Sequence, residues 1–237
     1  MAQKKKKVNK PTKSSSSKFV FWIIGLIAIA IIGFIFLANN QKSNDTANEE
    51  IDYANQPFLG EESAPVSIVE FGDYKCPNCK NFTDDVVPLV VKEFVDTGKA
   101  KFYYFHYPFI NVDSERTAKF SEAVYHELGN EKFWEFHELI FEKQPEDTRY
   151  ETIDVFTEEF LTETLQEIAS DEEVKKVAAY FDTKEPEAAW KSDEAIGGKL
   201  GVSGTPTVFV NGKRFDGKTM DDLNELVEEA AKEKGNE

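Results

Sequence analysis

The chain is 237 residues long and carries 44 acidic against 28 basic side chains, a net charge of −16 at neutral pH. So acidic a balance argues against a nucleic-acid partner, because binding to phosphate backbones runs on lysine and arginine. Only two cysteines are present, both in one short motif; this leaves none for a structural bridge, and with His106, His126 and His137 far apart they lack the spacing of a structural zinc site.

Charge is unevenly spread along the chain. The first eighteen residues hold seven lysines and no acid, so the part past Ala38 carries the other 21 basic residues against all 44 acids. Residues 19–38, FVFWIIGLIAIAIIGFIFLA, are uncharged and apolar, and roughly 20 such residues are what a helix needs to span a bilayer. The basic tail before them predicts a cytoplasmic N-terminus and an extracytoplasmic C-terminal part. The stretch exceeds the ~7–15 apolar residues of a cleavable signal and no A-x-A site follows it, so an uncleaved single-pass anchor is expected. Residues 39–55 are polar and predict a flexible tether. From residue 56 onward, abundant Phe, Val and Leu predict one domain with a full core.

Within that domain, Val66 to Phe71 and Ala100 to Tyr107 are short, rich in β-branched or aromatic residues and bounded by Pro or Gly, which predicts buried strands. Between them a helix is expected from the cysteine motif to about Thr97, closed by Gly98 and kinked at Pro88. A helical tract follows: Ser114 to Leu128, Lys132 to Lys143, about Thr157 to Ala169, Asp171 to Phe181 and Pro186 to Leu200. The rings of Phe133, Trp134, Phe136 and Phe141 recur at helical spacing and predict core. His106, in an aromatic strand, is expected to pack, and His126 and His137 to lie at or near the surface. A strand at Thr207 to Val210, an Asn211-Gly212 turn, a strand at Lys213 to Phe215 and a helix from about Met220 to Lys232 complete the chain.

The motif that carries chemistry is Cys76-Pro77-Asn78-Cys79, placed directly after the first buried strand. A disulfide across two residues closes too small a loop to remove much unfolded-chain entropy, so it is poorly suited to be a staple. At a helix start, free backbone N–H groups and the helix dipole favour a thiolate, the form that attacks and leaves in disulfide exchange. Cys76 is therefore the expected reactive sulfur and Cys79, one turn inside, its resolving partner. Pro77 suits the first helical turn, where it costs no hydrogen bond. Asn78 can donate a side-chain hydrogen bond to the Cys76 thiolate, and Lys75 is expected to point to solvent.

The run Glu70-Phe71-Gly72-Asp73-Tyr74-Lys75-Cys76-Pro77-Asn78-Cys79, the helical insertion, and Gly204-Thr205-Pro206-Thr207 before the final hairpin and helix resemble the DsbA-like thiol-disulfide oxidoreductases of the thioredoxin superfamily. The likeness extends from about residue 56 to the C-terminus, and the basic tail with its anchor is similar to the membrane-anchored BdbD type of Gram-positive bacteria. The resemblance implies an α/β thioredoxin-like fold with an inserted helical domain at about 113–201, preceded by one transmembrane helix. It implies that Thr205-Pro206 is a cis-proline loop facing the cysteines and offering backbone groups to a substrate peptide. It further implies that Glu70 is a buried acid beneath the resolving sulfur. Asn78 stands where a histidine is common in these proteins and so brings no titratable positive charge to the motif.

By the same resemblance, the protein is expected to donate its disulfide to reduced extracytoplasmic proteins and to be recharged by a DsbB-like, quinone-linked membrane oxidoreductase. No organic cofactor and no metal at the motif are expected. Two other readings stay open at this point: a thioredoxin-like reductase using the same residues in reverse, and a tethered peptide-binding or holding module.

Overall fold

The computed structural model describes residues 51–234. The expected basic tail, the anchor at 19–38 and nearly all of the tether lie outside the described residues. Among the described residues no helix is long and apolar enough to cross a membrane.

The core of the domain is a five-stranded sheet in the order β1-β3-β2-β4-β5. Its strands are β1 (Phe58–Leu59), β2 (Val66–Gly72), β3 (Ala100–His106), β4 (Thr207–Val210) and β5 (Lys213–Arg214). β2 and β3 run parallel, with Glu70 opposite Tyr104, and the other three pairings are antiparallel. All seven residues of β2 are buried, which is why it reads as a nearly continuous apolar run covered on both faces. Alternation along the strands sorts the side chains. Val66, Ile68, Phe102 and Tyr104 join one core cluster together with both cysteines, whereas Val69, Phe71, Tyr103 and Phe105 join a second.

The helical segment that starts within the cysteine motif begins as α1 (Pro77–Asn81) and continues through a π-helical turn (Phe82–Val86), α2 (Val87–Val90) and a second π-helical turn (Val91–Val95). The irregularity expected at Pro88 takes this form because proline cannot donate to the carbonyl four residues back. The Val87 N–H instead reaches the Phe82 carbonyl, one residue wider than an α-helix.

The helical insertion comprises α3 (Val112–Glu142), a 3-10 segment (Thr148–Thr152), α4 (Glu158–Gln166), α5 (Asp171–Phe181) and α6 (Glu185–Lys199). The two helices expected over 114–143 are both present within this span, meeting at a kink where Gly129, with φ 82° and ψ −176°, leaves helical space. Asn111 with Ser114, Thr157, and Ser170 with Glu173 cap α3, α4 and α5, each such cap contributing about 1 kcal/mol. The aromatic face of α3 is core as expected: Phe133, Phe136 and Phe141 are fully buried and Trp134 nearly so. α7 (Met220–Lys234) closes the chain, burying Leu223, Val227 and Ala230.

Two features differ from the sequence reading. β1 was not anticipated, because two residues at a sheet edge carry no period; Asn130 secures it by bonding both the N–H and the carbonyl of Phe58. Packing also begins earlier than the expected end of the tether at residue 55. Ile51 is buried and the Tyr53 ring lies on Tyr103 and Phe105.

Candidate active site

The site forms where β2 ends. Asp73 turns the chain: its carboxylate accepts from the amides of Lys75, Phe109 and Ile110, and its carbonyl accepts from the Cys76 amide. Cys76 is then left at the N-cap of α1 in extended conformation, with Pro77 in the first turn. Both cysteines are free thiols and buried. The insertion helps hold this loop, since the Gln144 side-chain amide donates to the carbonyls of Tyr74 and Cys76. The sequence holds no signal for Gln144, which is one polar residue following an aromatic helix.

The two sulfurs are electrostatically unlike. The Cys76 thiol is lowered to about 6, first by the hydrogen bond from Cys79, against the opposing effect of burial, and then by Thr205. The Asn78 and Cys79 amides favour the anion further at longer range, without forming cap hydrogen bonds. Cys79 goes the other way, well above the usual thiol range, through burial, its bond to Cys76 and the neighbouring Glu70. A thiolate at Cys76 beside a protonated Cys79 is the arrangement for exchange at one sulfur and proton storage at the other.

The loop before β4 faces Cys76. The Thr205–Pro206 bond is cis, and the Cys76 thiol donates to the Thr205 carbonyl at 3.4 Å. The Thr205 hydroxyl is buried without a partner. Glu70 is fully buried on the cysteine-facing side of β2, with neither carboxyl oxygen bonded. Burial first, and the charge at Cys76 second, hold its carboxyl well above the ordinary range. The structure thus brings Cys76, Cys79, Pro77, Glu70, Thr205 and Pro206 to one place.

Three residues stand differently from their sequence reading. Asn78 has an exposed side chain, so what it offers Cys76 is its backbone amide and not the side-chain amide. Lys75 does not point to solvent. It is wholly buried, its ammonium 2.8 Å from Asp113 and 2.6 Å from the carbonyls of both Tyr150 and Ile153, while the Tyr150 hydroxyl donates back to the Lys75 carbonyl. The ion pair ties the redox loop to α3 and satisfies a charge that could not otherwise be buried. His137 is buried too, 3.1 Å from the Tyr74 hydroxyl, because the helix face that carries the aromatic core also carries this ring. His106 packs and His126 is exposed, as expected.

Among the described residues one group of side chains could hold a metal ion: His106, Glu122 and Asp193, whose donor atoms lie within 4.8 Å of one another. Burial lowers His106 to about 3 and raises both carboxyls. These residues come from β3, α3 and α6, so no local spacing could announce them.

Comparison with known proteins points the same way as the geometry. A family model described as Thioredoxin matches residues 52–229. The probable disulfide bond formation protein D of Bacillus anthracis is 33% identical over 221 residues, 93% of this chain and 99% of that protein. The crystal structure of oxidised BdbD from Bacillus subtilis superposes with a TM-score of 0.69 at 33% identity, covering 77% of this chain and 96% of that one. The thiol-disulfide exchange protein α-DsbA2 from Wolbachia pipientis gives 0.64 at 25% identity, covering 80% and 97%.

Proposed function

This chain belongs to the thioredoxin family that the matching model describes and is a thiol-disulfide oxidoreductase, and on that premise we propose that it works as an oxidase, donating a Cys76–Cys79 disulfide to reduced proteins outside the cytoplasm. The observation that carries the direction is the split between the two thiols, Cys76 lowered to about 6 and Cys79 raised. A good leaving thiolate makes a disulfide easy to reduce, hence oxidising.

A substrate thiolate attacks Cys76; the Cys76–Cys79 bond breaks, a mixed disulfide forms, and Cys79 leaves with the electron pair and takes a proton. A second substrate thiolate then attacks the substrate sulfur of that bond and expels Cys76 as a thiolate. The substrate is oxidised by two electrons and the enzyme is left as the dithiol. In the reduced state the anion is held first by the Cys79 thiol, then by the Thr205 hydroxyl and the amides at the start of α1. The backbone of the Thr205-Pro206 loop, beside Cys76, is the surface against which a substrate peptide would lie.

The remaining parts of the reading rest on sequence. A basic tail at 1–18, an anchor at 19–38 and a tether beyond it would hold the domain at the outer membrane face. There it would meet secreted proteins and a DsbB-like, quinone-linked oxidoreductase that restores the disulfide.

The test is the reduction potential of the full chain together with its ability to oxidise a reduced, unfolded protein. The oxidase reading expects transfer of the disulfide and a potential clearly above the thioredoxin value of about −270 mV. A potential at or below that value would instead make the chain a reductase.

A further inference from the structure

Tyr104 is wholly buried, yet its hydroxyl has no hydrogen-bond partner. It stands opposite Glu70 in the parallel register of β2 and β3, where paired residues project to the same face. Both carboxyl oxygens of Glu70 are likewise buried and unpaired. Folded proteins rarely leave such groups unpaired, and those that remain mark strain or chemistry.

The direction of the Tyr104 ring is set by Gly72. A Cβ built at Gly72 would come within 2.4 Å of a ring carbon and 2.7 Å of the hydroxyl oxygen, so only glycine lets the ring lie across β2 there. Gly72 is two residues beyond Glu70 on the same face, at the end from which the cysteine loop departs. Tyr74, His137 and Phe141 wall the ring in. Burial holds Tyr104 well above its ordinary range, so its hydroxyl keeps its proton and serves as a donor.

We propose that Tyr104 is a positioning residue of the exchange reaction, whose hydroxyl steadies the Glu70 carboxylate once Glu70 has given its proton to Cys79. The inference rests on the exchange chemistry above. When the Cys76–Cys79 bond breaks, Cys79 departs as a thiolate and Glu70 transfers its proton to that sulfur, becoming a carboxylate in an apolar site. A hydrogen bond to the charged form stabilises that form selectively. Glu70 regains a proton when the second substrate thiol gives one up. The other ionisable groups around the pair are Cys76 at the N-cap of α1 and Cys79 within it, Asp73 and Tyr74 in the loop, and His106 and His137 from β3 and α3. Burial keeps both histidines neutral, at about 3.

The experiment is a double-mutant cycle on the oxidised full chain, reacted with dithiothreitol in single turnover: wild type, Tyr104→Phe, Glu70→Gln and both together. Tyr104→Phe keeps the ring, and its melting temperature checks the fold. The proposal expects it to slow exchange about tenfold, the scale of a lost hydrogen bond to a charged group, and to cause no further slowing in the Glu70→Gln background. The Glu70 carboxyl infrared band of reduced Tyr104→Phe should also titrate at higher pH than in wild type. Equal slowing in both backgrounds, or none in either, overturns the proposal. A wild-type chain inert toward the dithiol would overturn the exchange reading itself, an outcome distinct from a competent wild type matched by Tyr104→Phe.

Discussion

The sulfur of Cys76 lies 3.4 Å from the carbonyl oxygen of Thr205, the residue that begins the cis-proline loop. As a thiol, Cys76 donates to that carbonyl; as a thiolate it has no proton to donate and needs a donor in return. The buried, unpartnered Thr205 hydroxyl is the group at hand, and it contributes to lowering Cys76 to about 6. Thr205→Val, which keeps the shape and removes the donor, should raise the midpoint of Cys76 alkylation against pH. An unchanged midpoint would mean that the hydroxyl plays no part.

Glu70 predicts a pH-dependent stability. A carboxyl with a raised folded pKa contributes stability fully below its unfolded value, and that contribution is lost as pH rises through the folded one. Because Glu70 is held well above 4.5, Glu70→Gln should leave stability near pH 4 almost unchanged. Near pH 8 it should raise stability by about 1 kcal/mol or more, while slowing exchange. Denaturant midpoints at the two pH values check this, and a variant destabilised at both would contradict it.

Lys75 predicts a stability effect without a redox effect. Its ammonium is committed to Asp113 and to two carbonyls of the insertion, and one oxygen of Asp113 already lacks a partner. Lys75→Met strands a buried carboxylate and should cost about 3–5 kcal/mol. Adding Asp113→Asn should recover part of the loss. The alkylation midpoint of Cys76 should stay near its wild-type value, since Lys75 is not among the groups that lower it. A large shift of that midpoint would show that the lysine supplies charge to the thiolate after all.

Gln144 is the insertion's direct hold on the redox loop, through the carbonyls of Tyr74 and Cys76. Gln144→Ala should cost about 1–3 kcal/mol, since it removes the side-chain donor to the buried Tyr74 carbonyl while the Cys76 carbonyl keeps the Lys80 amide, and should slow exchange with a small dithiol. Retained stability and rate would remove the residue from the site.

What was legible in the sequence follows from how locally each feature is encoded. The C-P-N-C motif at a strand end and the T-P step before a late strand are contiguous signals, and the α5 span and the β4 strand were read at the residues where they stand. The fate of Lys75 was hidden because its partner Asp113 is 38 residues away and two of its acceptors are backbone carbonyls farther still. Asn78 misled for the opposite reason. A helix start offers its amides whatever side chain is present, so a polar side chain there invites a role that the backbone already fills. His137 looked peripheral because one histidine within an aromatic helix does not say which face it shares.

The central claim, that this site is built to oxidise, is tested most directly by comparing the stability of the reduced and oxidised full chain in denaturant across pH. A thiol whose pKa is depressed in the folded state adds stability that is fully present above the unfolded value of ~8.5 and is lost as pH falls through the folded one, here about 6. The account predicts that at neutral pH the reduced form unfolds at higher denaturant than the oxidised form, and that the gap closes as pH drops below about 6. An oxidised form that is clearly the more stable at neutral pH, as for a structural disulfide, would contradict it.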